Sequence, residues 1–311
     1  MLTRHPIVQI HPSRFCNYTC LHCYSSSSPD VRNGLPVNTI LSTTARLADE
    51  GYRLASLSGG EPVLYAEFEA LAEGLTAQGY QTSVISNGTH PHRLLRTMQA
   101  GHVQHASISI DGPQHLHDTI RQKEGAFKRA LTALSTLLDD GQSTGAVVSV
   151  TQQSLPHLPQ VVDDLIAHGI QQIQLHPIAA VGRASQSVDI IGAELPQEAL
   201  MRLILIAEVF SKLYPNVQFH CDAVSGAMLN TQPPAQNGRL ISPIVIRDDG
   251  WLVPYSYDVS NTFALGHVSD PVVNCRLNDQ TAAAVDCALD ACKRLAACTF
   301  YREFANVAKQ A

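Results

Sequence analysis

Short apolar runs alternate with longer amphipathic segments through most of the first two thirds of the chain. The short runs fit strands, and the longer segments carry the three-to-four-residue apolar spacing of helices. The predicted strands cover residues 8–10, 54–57, 81–85, 105–110, 147–151 and 173–175, and the predicted helices 37–51, 66–79, 90–101, 126–140 and 158–169. Regular alternation of this kind indicates a parallel sheet with right-handed crossovers. Six strands cannot close an eight-stranded barrel, so the pattern predicts an α/β fold, an open and partial (β/α)6 barrel.

The C-terminal third departs from this alternation. An apolar helix is predicted over residues 203–210, and a proline-rich loop over residues 233–238. Asp249-Gly250 then separates two apolar runs, 240–246 and 251–253, which is the signal of a β-hairpin. We therefore expect a barrel domain over residues 1–190 and a small α+β extension over residues 191–311, made of a helix, the hairpin and a cysteine-containing helical tail.

Composition narrows the possible functions. Of the 311 residues, 45% are apolar and 15% are charged, which is enough apolar character for a large core. The net charge of −6 gives no electrostatic reason to expect a nucleic-acid partner. No apolar run is long enough to span a membrane, and the first residues lack the apolar core of a secretory signal. Eight cysteines in such a chain indicate a reducing cytoplasm, with thiols that serve metal or redox chemistry instead of disulfides.

Three of the cysteines form a C-x3-C-x2-C loop after the first predicted strand: Cys16, Cys20 and Cys23. Three thiolates on one loop can hold three corners of a cubane iron–sulfur cluster, which leaves the fourth iron open to substrate or cofactor. The competing interpretation is a zinc ion with His22 as its fourth ligand. Adjacent His22 and Cys23 are poorly placed to reach one tetrahedral ion, and an odd number of cysteines argues against a disulfide.

Further polar motifs follow at the ends of later predicted strands. They are Ser58-Gly59-Gly60-Glu61-Pro62, Ser86-Asn87-Gly88 and Ser109-Ile110-Asp111-Gly112-Pro113, with Arg121 a short distance beyond the last. In such folds the reactive groups lie at the carboxyl ends of the parallel strands. Together with the cysteine loop, this ordered set resembles the radical S-adenosylmethionine (SAM) superfamily over about residues 6–185.

The resemblance implies a [4Fe–4S] cluster held by Cys16, Cys20 and Cys23, with SAM chelating the fourth iron through its amino and carboxylate groups. Reduction of the cluster then cleaves SAM to methionine and a 5′-deoxyadenosyl radical, which abstracts hydrogen from the substrate. The cofactors supply this chemistry, and the protein holds and shields them. The residues that the resemblance places at the SAM site are His22, Tyr24, Ser58, Gly59, Gly60, Glu61, Asn87, Ser109, Asp111, Arg121 and His176.

Five of these residues carry specific expectations. Gly59 and Gly60 let the backbone approach the methionine amino group, since neither has a β-carbon. Ser109 points into the barrel and reaches the ribose, while the forked guanidinium of Arg121 pairs with the SAM carboxylate. A solvated arginine on a helix face is the alternative for Arg121. His176 faces the adenine or the substrate, or else is a core histidine bonded to backbone; no residue is assigned to the hydrogen transfer itself.

The C-terminal part resembles the peptide-modifying members of the superfamily. The turn Gly182-Arg183-Ala184 and the hairpin followed by residues 265–268 are similar to members with a SPASM or twitch extension. In that extension the second hairpin strand ends in Pro-Cys, but here it ends in Pro254-Tyr255, so we expect a degenerate extension. An auxiliary cluster would need ligands from the remaining cysteines, which are Cys221, Cys275, Cys287, Cys292 and Cys298. Free cysteines are also commonly small buried apolar residues.

The leading hypothesis is a maturase of a ribosomally made precursor peptide that forms a crosslink, an epimer, or a backbone rearrangement or excision. The expected partners are that peptide, an external electron donor and a small separate protein that binds the leader segment. A tetrapyrrole or small-metabolite enzyme is the alternative within the superfamily. The alternative outside enzymes is a non-catalytic, cluster-binding partner subunit, although such a scaffold would have no need of Gly60, Ser109 and Arg121.

Overall fold

The described part of the chain is built on one continuous ten-stranded sheet. The computed structural model describes residues 6–192, 195–222, 240–254, 256–258, 260–261 and 264–276. The strands are β1 (Ile7–Ile10), β2 (Leu54–Leu57), β3 (Gln81–Ser86), β4 (His105–Ser109), β5 (Thr144–Val150), β6 (Gln172–Pro177), β7 (Gln218–Cys221), β8 (Ile244–Ile246), β9 (Trp251–Val253) and β10 (Gly266–His267). Their order is β10-β9-β8-β1-β2-β3-β4-β5-β6-β7. Strands β1 to β6 pair in parallel with their neighbours in sequence, which confirms the predicted partial barrel.

Helices connect the strands and pack against the sheet through apolar side chains. They are α1 (Val37–Asp49), α2 (Phe68–Ala77), α3 (Pro91–Gln99), α4 (Gln114–Arg121), α5 (Ala126–Asp139), α6 (Leu158–Ala167), α7 (Val188–Ile191) and α8 (Gln197–Leu213). Several end about two residues before the predicted glycine, because Gly79 and Gly101 take φ values of +82° and +80° that end a right-handed helix. No helix in the described ranges combines the length and the apolar character required to cross a lipid bilayer.

Four of the described elements have no counterpart in the sequence prediction: the short α7 and β10, and also α4 and β7, which adjoin the site. Helix α4 has eight residues, and Leu116 and Ile120 are its two apolar residues, so its apolar face is too short to give a strong sequence signal. Strand β7 has four residues with polar side chains at alternate positions and lies at one edge of the sheet. Short edge strands of this kind carry a weak sequence signal, and here pairing with β6 determines the strand.

The predicted hairpin is confirmed, with a shorter first strand, and it continues the sheet of the barrel. Strands β8 and β9 are antiparallel, while β8 pairs in parallel with β1, Val8 opposite Ile244 and Ile10 opposite Ile246. The parallel part of the sheet therefore runs from β8 through β1 to β7. Within the described residues β7 and β8 are not paired with each other, so the barrel is open along that side.

The two faces of the sheet differ in polarity. Val8, Ile10 and Ile108 are fully or almost fully buried in the main apolar core, and burial of each such side chain stabilises the fold by about 1.5–3 kcal/mol. The alternate positions are polar, as a strand with two unlike faces requires. They line a cavity of about 170 Å³, whose polar residues are Ser56, Ser83, His105, Ser107, Gln172, Gln174 and His220.

Candidate cofactor site

The cysteine loop lies directly after β1 and rests on the turn that follows β2. The backbone N–H groups of Gly60 and Glu61 donate to the carbonyls of Ser13 and Phe15, at 3.0 and 2.9 Å. A β-carbon at position 60 would overlap the carbonyl oxygen of Phe15, so glycine is required for this close approach. Gly60 therefore packs the turn against the cysteine loop. From the sequence we expected only that Gly60 lets the backbone approach SAM.

The thiols of Cys16, Cys20 and Cys23 each have a nitrogen atom beside the sulfur. The sulfur of Cys16 lies 3.5 Å from the backbone nitrogen of Tyr18 and 3.8 Å from Nδ2 of Asn87. The sulfur of Cys20 lies 3.9 Å from Nη1 of Arg121. The sulfur of Cys23 lies 3.3 Å from the backbone nitrogen of Ser27. Such donors stabilise thiolates, the form of cysteine that binds metal. Burial raises the pKa of the Cys16 thiol to about 12 and that of Cys20 to about 11. In the metal-free protein both keep their protons at neutral pH, and metal binding has to release them.

His22 is directed at Asp111 and not at the three sulfurs. Its Nε2 atom lies 3.3 Å from Oδ1 of Asp111, so this nitrogen is not free to bind a zinc ion. Among the residues that the structure describes, no three His, Cys, Asp or Glu side chains converge on a single-ion site. A cubane cluster, in contrast, takes its thiolates at separate corners.

Asp111 is the fully buried centre of a charged cluster at the end of β4. Arg121 donates to both carboxylate oxygens, from Nε at 2.5 Å and from Nη2 at 3.0 Å. Burial by itself raises the pKa of Asp111, but the charges of Arg121 and His22 hold it well below its usual range. Arg121 is buried as well, so it is not a solvated arginine. Its fork contacts Asp111, where the sequence expectation had it contact the SAM carboxylate.

His117 belongs to the same cluster but is neutral. Its Nδ1 atom accepts a hydrogen bond from the backbone N–H of Asp111 at 3.0 Å, so this atom cannot also donate to the carboxylate 3.5 Å away. Burial lowers the pKa of His117 to about 4. The imidazole thus fixes the backbone at the end of β4, and the carboxylate takes its charge-assisted hydrogen bonds from Arg121.

Glu61 connects the ends of β2 and β3. One carboxylate oxygen accepts from the Ser86 hydroxyl at 2.9 Å and from the Val63 N–H at 3.2 Å, and the other accepts from the Asn87 N–H at 2.7 Å. The carboxyl is almost completely buried, and this burial raises its pKa although the three donors oppose the shift. Both oxygens are therefore bonded within the protein, which gives Glu61 a structural task; its contact with SAM stays a prediction.

A second group of predicted residues is connected to the C-terminal extension. The hydroxyl of Tyr24 lies 3.1 Å from Nε2 of His11. The amide of Gln9 donates to the Ser58 hydroxyl at 2.9 Å and accepts from the Ser256 hydroxyl at 2.8 Å. These hydrogen bonds join the cysteine loop, β1 and the segment after β9 in one polar network.

His176 lies at the end of β6, between two residues that sequence reasoning missed. Its Nδ1 atom is 2.5 Å from the carboxylate of Asp222, and its Nε2 atom contacts the hydroxyl of Tyr257. Burial tends to raise the pKa of Asp222, but the hydrogen bonds from His176 and Gln174 lower it. The Tyr257 ring stands edge-on to Tyr24 with the centroids 5.3 Å apart. Asp222 follows the unpredicted β7, so the sequence offered no signal that it meets His176.

Among the remaining predicted residues, Ser109, Gly59 and Cys221 lie at the carboxyl ends of the barrel strands, whereas Cys275 lies near the amino ends. Ser109 is buried at the end of β4, two positions before Asp111. Gly59 has a φ of +101°, and a β-carbon there would lie 2.9 Å from the β-carbon of His11. Cys275 is buried and its carbonyl accepts from the Ile241 N–H at 2.9 Å, and Cys221 ends β7. Cys287, Cys292 and Cys298, the other cysteines from which an auxiliary cluster would need ligands, lie outside the described residues, as does Tyr255.

Comparison with protein families identifies the family of this chain. Residues 10–165 match the family described as the radical SAM superfamily. The chain belongs to the radical SAM superfamily. Its members use a [4Fe–4S] cluster and SAM, and two features of the site fit these groups: three thiols on one loop, and the Nδ1 atom of His22, which is buried and makes no hydrogen bond within the described part of the chain.

Relatives within the radical SAM superfamily differ in what they make. The chain is 26% identical over 225 residues to Fe-coproporphyrin III synthase of Methanosarcina barkeri, which covers 70% of this chain and 56% of that protein. It is 24% identical over 190 residues to the sporulation killing factor maturation protein SkfB of Bacillus subtilis, covering 60% of this chain and 46% of that protein. The chain thus spans about half the length of the curated relatives it matches.

The radical SAM fold of this chain extends into its C-terminal third. The crystal structure of Streptococcus suis SuiB bound to S-adenosylmethionine superposes with a TM-score of 0.70 at 15% identity, over 90% of this chain and 67% of SuiB. At this level of identity the match shows a shared fold. The match covers more of the chain than the barrel domain predicted over residues 1–190.

Proposed function

We propose that Cys16, Cys20 and Cys23 bind three irons of a [4Fe–4S] cluster and leave the fourth iron to SAM. The observation that carries the proposal is that three thiols on one loop have nitrogen atoms beside them, at 3.3–3.9 Å from sulfur. When bound, these groups supply a 5′-deoxyadenosyl radical that abstracts hydrogen. The task of the protein is to hold the loop in shape and to keep water away.

SAM recognition, in this proposal, falls to the predicted residues around the cysteine loop. The Nδ1 atom of His22 lacks a protein partner and suits a polar group of SAM. Arg121 places its third guanidinium nitrogen 3.9 Å from the sulfur of Cys20, so its positive charge offsets the charge of the cluster and its thiolates. Asp111 orients that guanidinium. Ser109, Gly59 and Tyr24 are proposed to complete the SAM pocket, and His176 to face the substrate side.

We propose that the substrate is a ribosomally made precursor peptide, which is crosslinked, epimerised, or rearranged or shortened in its backbone. Three observations support a bulky substrate. Ser256 and Tyr257 reach Gln9 and His176, so the described part of the proposed extension (191–311) contacts the proposed barrel domain (1–190). The relatives include SkfB, which is named as a maturation protein. SuiB, which shares the fold, has been crystallised with its precursor peptide SuiA.

Synthesis or modification of an iron tetrapyrrole is the second candidate function, because the relatives include Fe-coproporphyrin III synthase and an AdoMet-dependent heme synthase. The match to the first covers a larger share of this chain than the match to SkfB does. A peptide substrate further implies a small leader-binding protein and, like any substrate here, an external electron donor. Cys16, Cys20, Cys23 and Cys275 are thiols outside any disulfide, which supports a reducing, cytoplasmic location.

One experiment tests the chemistry and separates the candidates. The anaerobically reconstituted protein is given SAM and dithionite, and 5′-deoxyadenosine is measured alone, with a short peptide encoded beside its gene, and with iron coproporphyrin III. We expect 5′-deoxyadenosine in all arms and a mass change only in the peptide. The variant with Cys16, Cys20 and Cys23 all replaced by alanine should lose both iron and SAM cleavage. Retained cleavage in this variant would contradict the cluster assignment, and turnover of the tetrapyrrole alone would favour the second candidate.

A further inference from the structure

Arg183, in the turn after β6, is bonded to the backbone of the cysteine loop. Its Nη1 atom donates to the carbonyl of Cys20 at 2.8 Å, and its Nη2 atom donates to the carbonyl of Ser27 at 2.7 Å. Its backbone N–H donates to the carbonyl of Cys23 at 2.9 Å. Arg183 therefore bonds to the loop at three points: before Cys23, at Cys23 and after it.

The neighbours of Arg183 press the same turn against the loop. Gly182 has φ +61°, and a β-carbon there would overlap the backbone carbonyl of Tyr24, so both the conformation and the space require glycine. Ala184 is buried in a small apolar cluster that includes Leu21 of the loop. The contact between turn and loop is thus formed by hydrogen bonds, close backbone approach and apolar packing together.

We propose that Arg183 is a positioning residue, which fixes the segment from Cys20 to Ser27 for cluster binding and adds a positive charge to the surroundings of the cluster. The proposal rests on the cluster ligands proposed above. Arginine suits this task because its rigid fork can bond two carbonyls at a fixed separation, whereas lysine is a flexible point charge. Net charge and hydrogen bonding around an iron–sulfur cluster set its reduction potential, so loss of the charge should make reduction harder.

Two variants separate the fork from the charge. Arg183→Lys keeps the positive charge and loses the paired hydrogen bonds, while Arg183→Gln loses both. Each reconstituted protein is assayed for iron per chain, for the rate of iron loss to a chelator, and for the midpoint potential by anaerobic titration followed by electron paramagnetic resonance. We expect several-fold faster iron loss in both variants. The potential should shift to more negative values in Arg183→Gln and stay near the wild-type value in Arg183→Lys.

Arg14→Gln is the matched control, because Arg14 lies just before the loop, is largely exposed, and pairs with Asp248. It should keep the wild-type rate of iron loss. Wild-type iron retention and potential in Arg183→Gln would overturn the role of Arg183, provided that the variant lacking Cys16, Cys20 and Cys23 loses its iron. If that cysteine variant keeps its iron, the ligand assignment fails, and the role of Arg183 fails with it. Should Arg183→Gln not fold, wild-type iron loss in Arg183→Lys overturns the role of the fork.

Discussion

Arg121 and Asp111 form a forked ion pair in the interior of the protein, with nitrogen-to-oxygen distances of 2.5 and 3.0 Å. The third guanidinium nitrogen lies 3.9 Å from the sulfur of Cys20. The end of β4 and the cysteine loop are therefore connected through one arginine. This connection explains why an aspartate at the end of a strand and an arginine at the end of a short helix belong to the same site, and it changes what substitutions there should do.

Asp111→Asn should lower the free energy of unfolding by about 3–5 kcal/mol at neutral pH, because it leaves the buried Arg121 without its counter-charge. The pKa of Asp111 in the folded protein is held below the ordinary 3.8. Its stabilising contribution is therefore complete above that value and is lost as pH falls through the lower folded value. Chemical unfolding at pH 7, and in steps from pH 4 downward, measures both effects.

Glu50→Gln is the control for Asp111→Asn, since Glu50 and Arg276 form a pair with both side chains exposed. Exposed pairs contribute about 0–1 kcal/mol. Equal losses of stability in the two variants would mean that the Asp111 pair has no special role.

Arg121→Ala should destabilise the protein before any SAM is added, again by about 3–5 kcal/mol, because Asp111 is then a buried and unpaired carboxylate. The expectation from sequence alone was different: direct contact with SAM would cost about 1.5–3 kcal/mol in SAM binding. Unfolding of the SAM-free protein and equilibrium binding of SAM separate the two. Normal stability combined with weak SAM binding would restore the sequence interpretation.

Gly60→Ala should displace the cysteine loop, because the new β-carbon overlaps the backbone carbonyl of Phe15 and a backbone atom cannot move aside cheaply. We expect strongly reduced iron per chain after reconstitution. Gly79→Ala is the control, since position 79 has φ +82° and open space around it. That variant should show only the strain of a left-handed residue, about 1–2 kcal/mol, with normal iron content. Normal iron in Gly60→Ala would show that the contact is dispensable.

Tyr257→Phe removes the hydroxyl that contacts His176 and keeps the ring beside Tyr24. Loss of one hydrogen bond should lower stability by about 0.5–1.5 kcal/mol. Because this bond connects the extension to β6, we also expect less product per 5′-deoxyadenosine formed, with substrate-free SAM cleavage unchanged. Tyr214→Phe, at a hydroxyl bonded to Asp163 on the surface, should leave that ratio at the wild-type value. An unchanged ratio in Tyr257→Phe would argue against a role for the extension in substrate handling.

Replacement of Cys287, Cys292 and Cys298 by serine should leave iron at about four per chain, the content of a single cubane cluster. The reason is the looseness of their spacing and the tyrosine at position 255, where a ligand is expected in extensions that hold a cluster. Iron and sulfide analysis of the reconstituted protein decides this. About eight irons per chain in the wild type, falling to about four in the variant, would establish an auxiliary cluster.

The sequence alone determined the features that depend on neighbouring positions. Alternation of short apolar runs with amphipathic segments predicted six parallel strands and their helices, because side-chain periodicity is a local property. The spacing of Cys16, Cys20 and Cys23 and the order of the motifs identified the superfamily for the same reason. Both conclusions hold in the structure and in the comparisons.

Only the tertiary structure decided which distant groups meet. Arg183 bonds the carbonyl of Cys20 across 163 positions, and His176 contacts Tyr257 across 81. The hairpin joins the barrel because Ile244 pairs with Val8. No periodicity encodes such pairs, since strand register and packing of the whole sheet bring them together. Arg121 is a further case. The sequence shows that a cation lies near the site, but whether its guanidinium contacts a cofactor or Asp111 depends on the burial that folding produces.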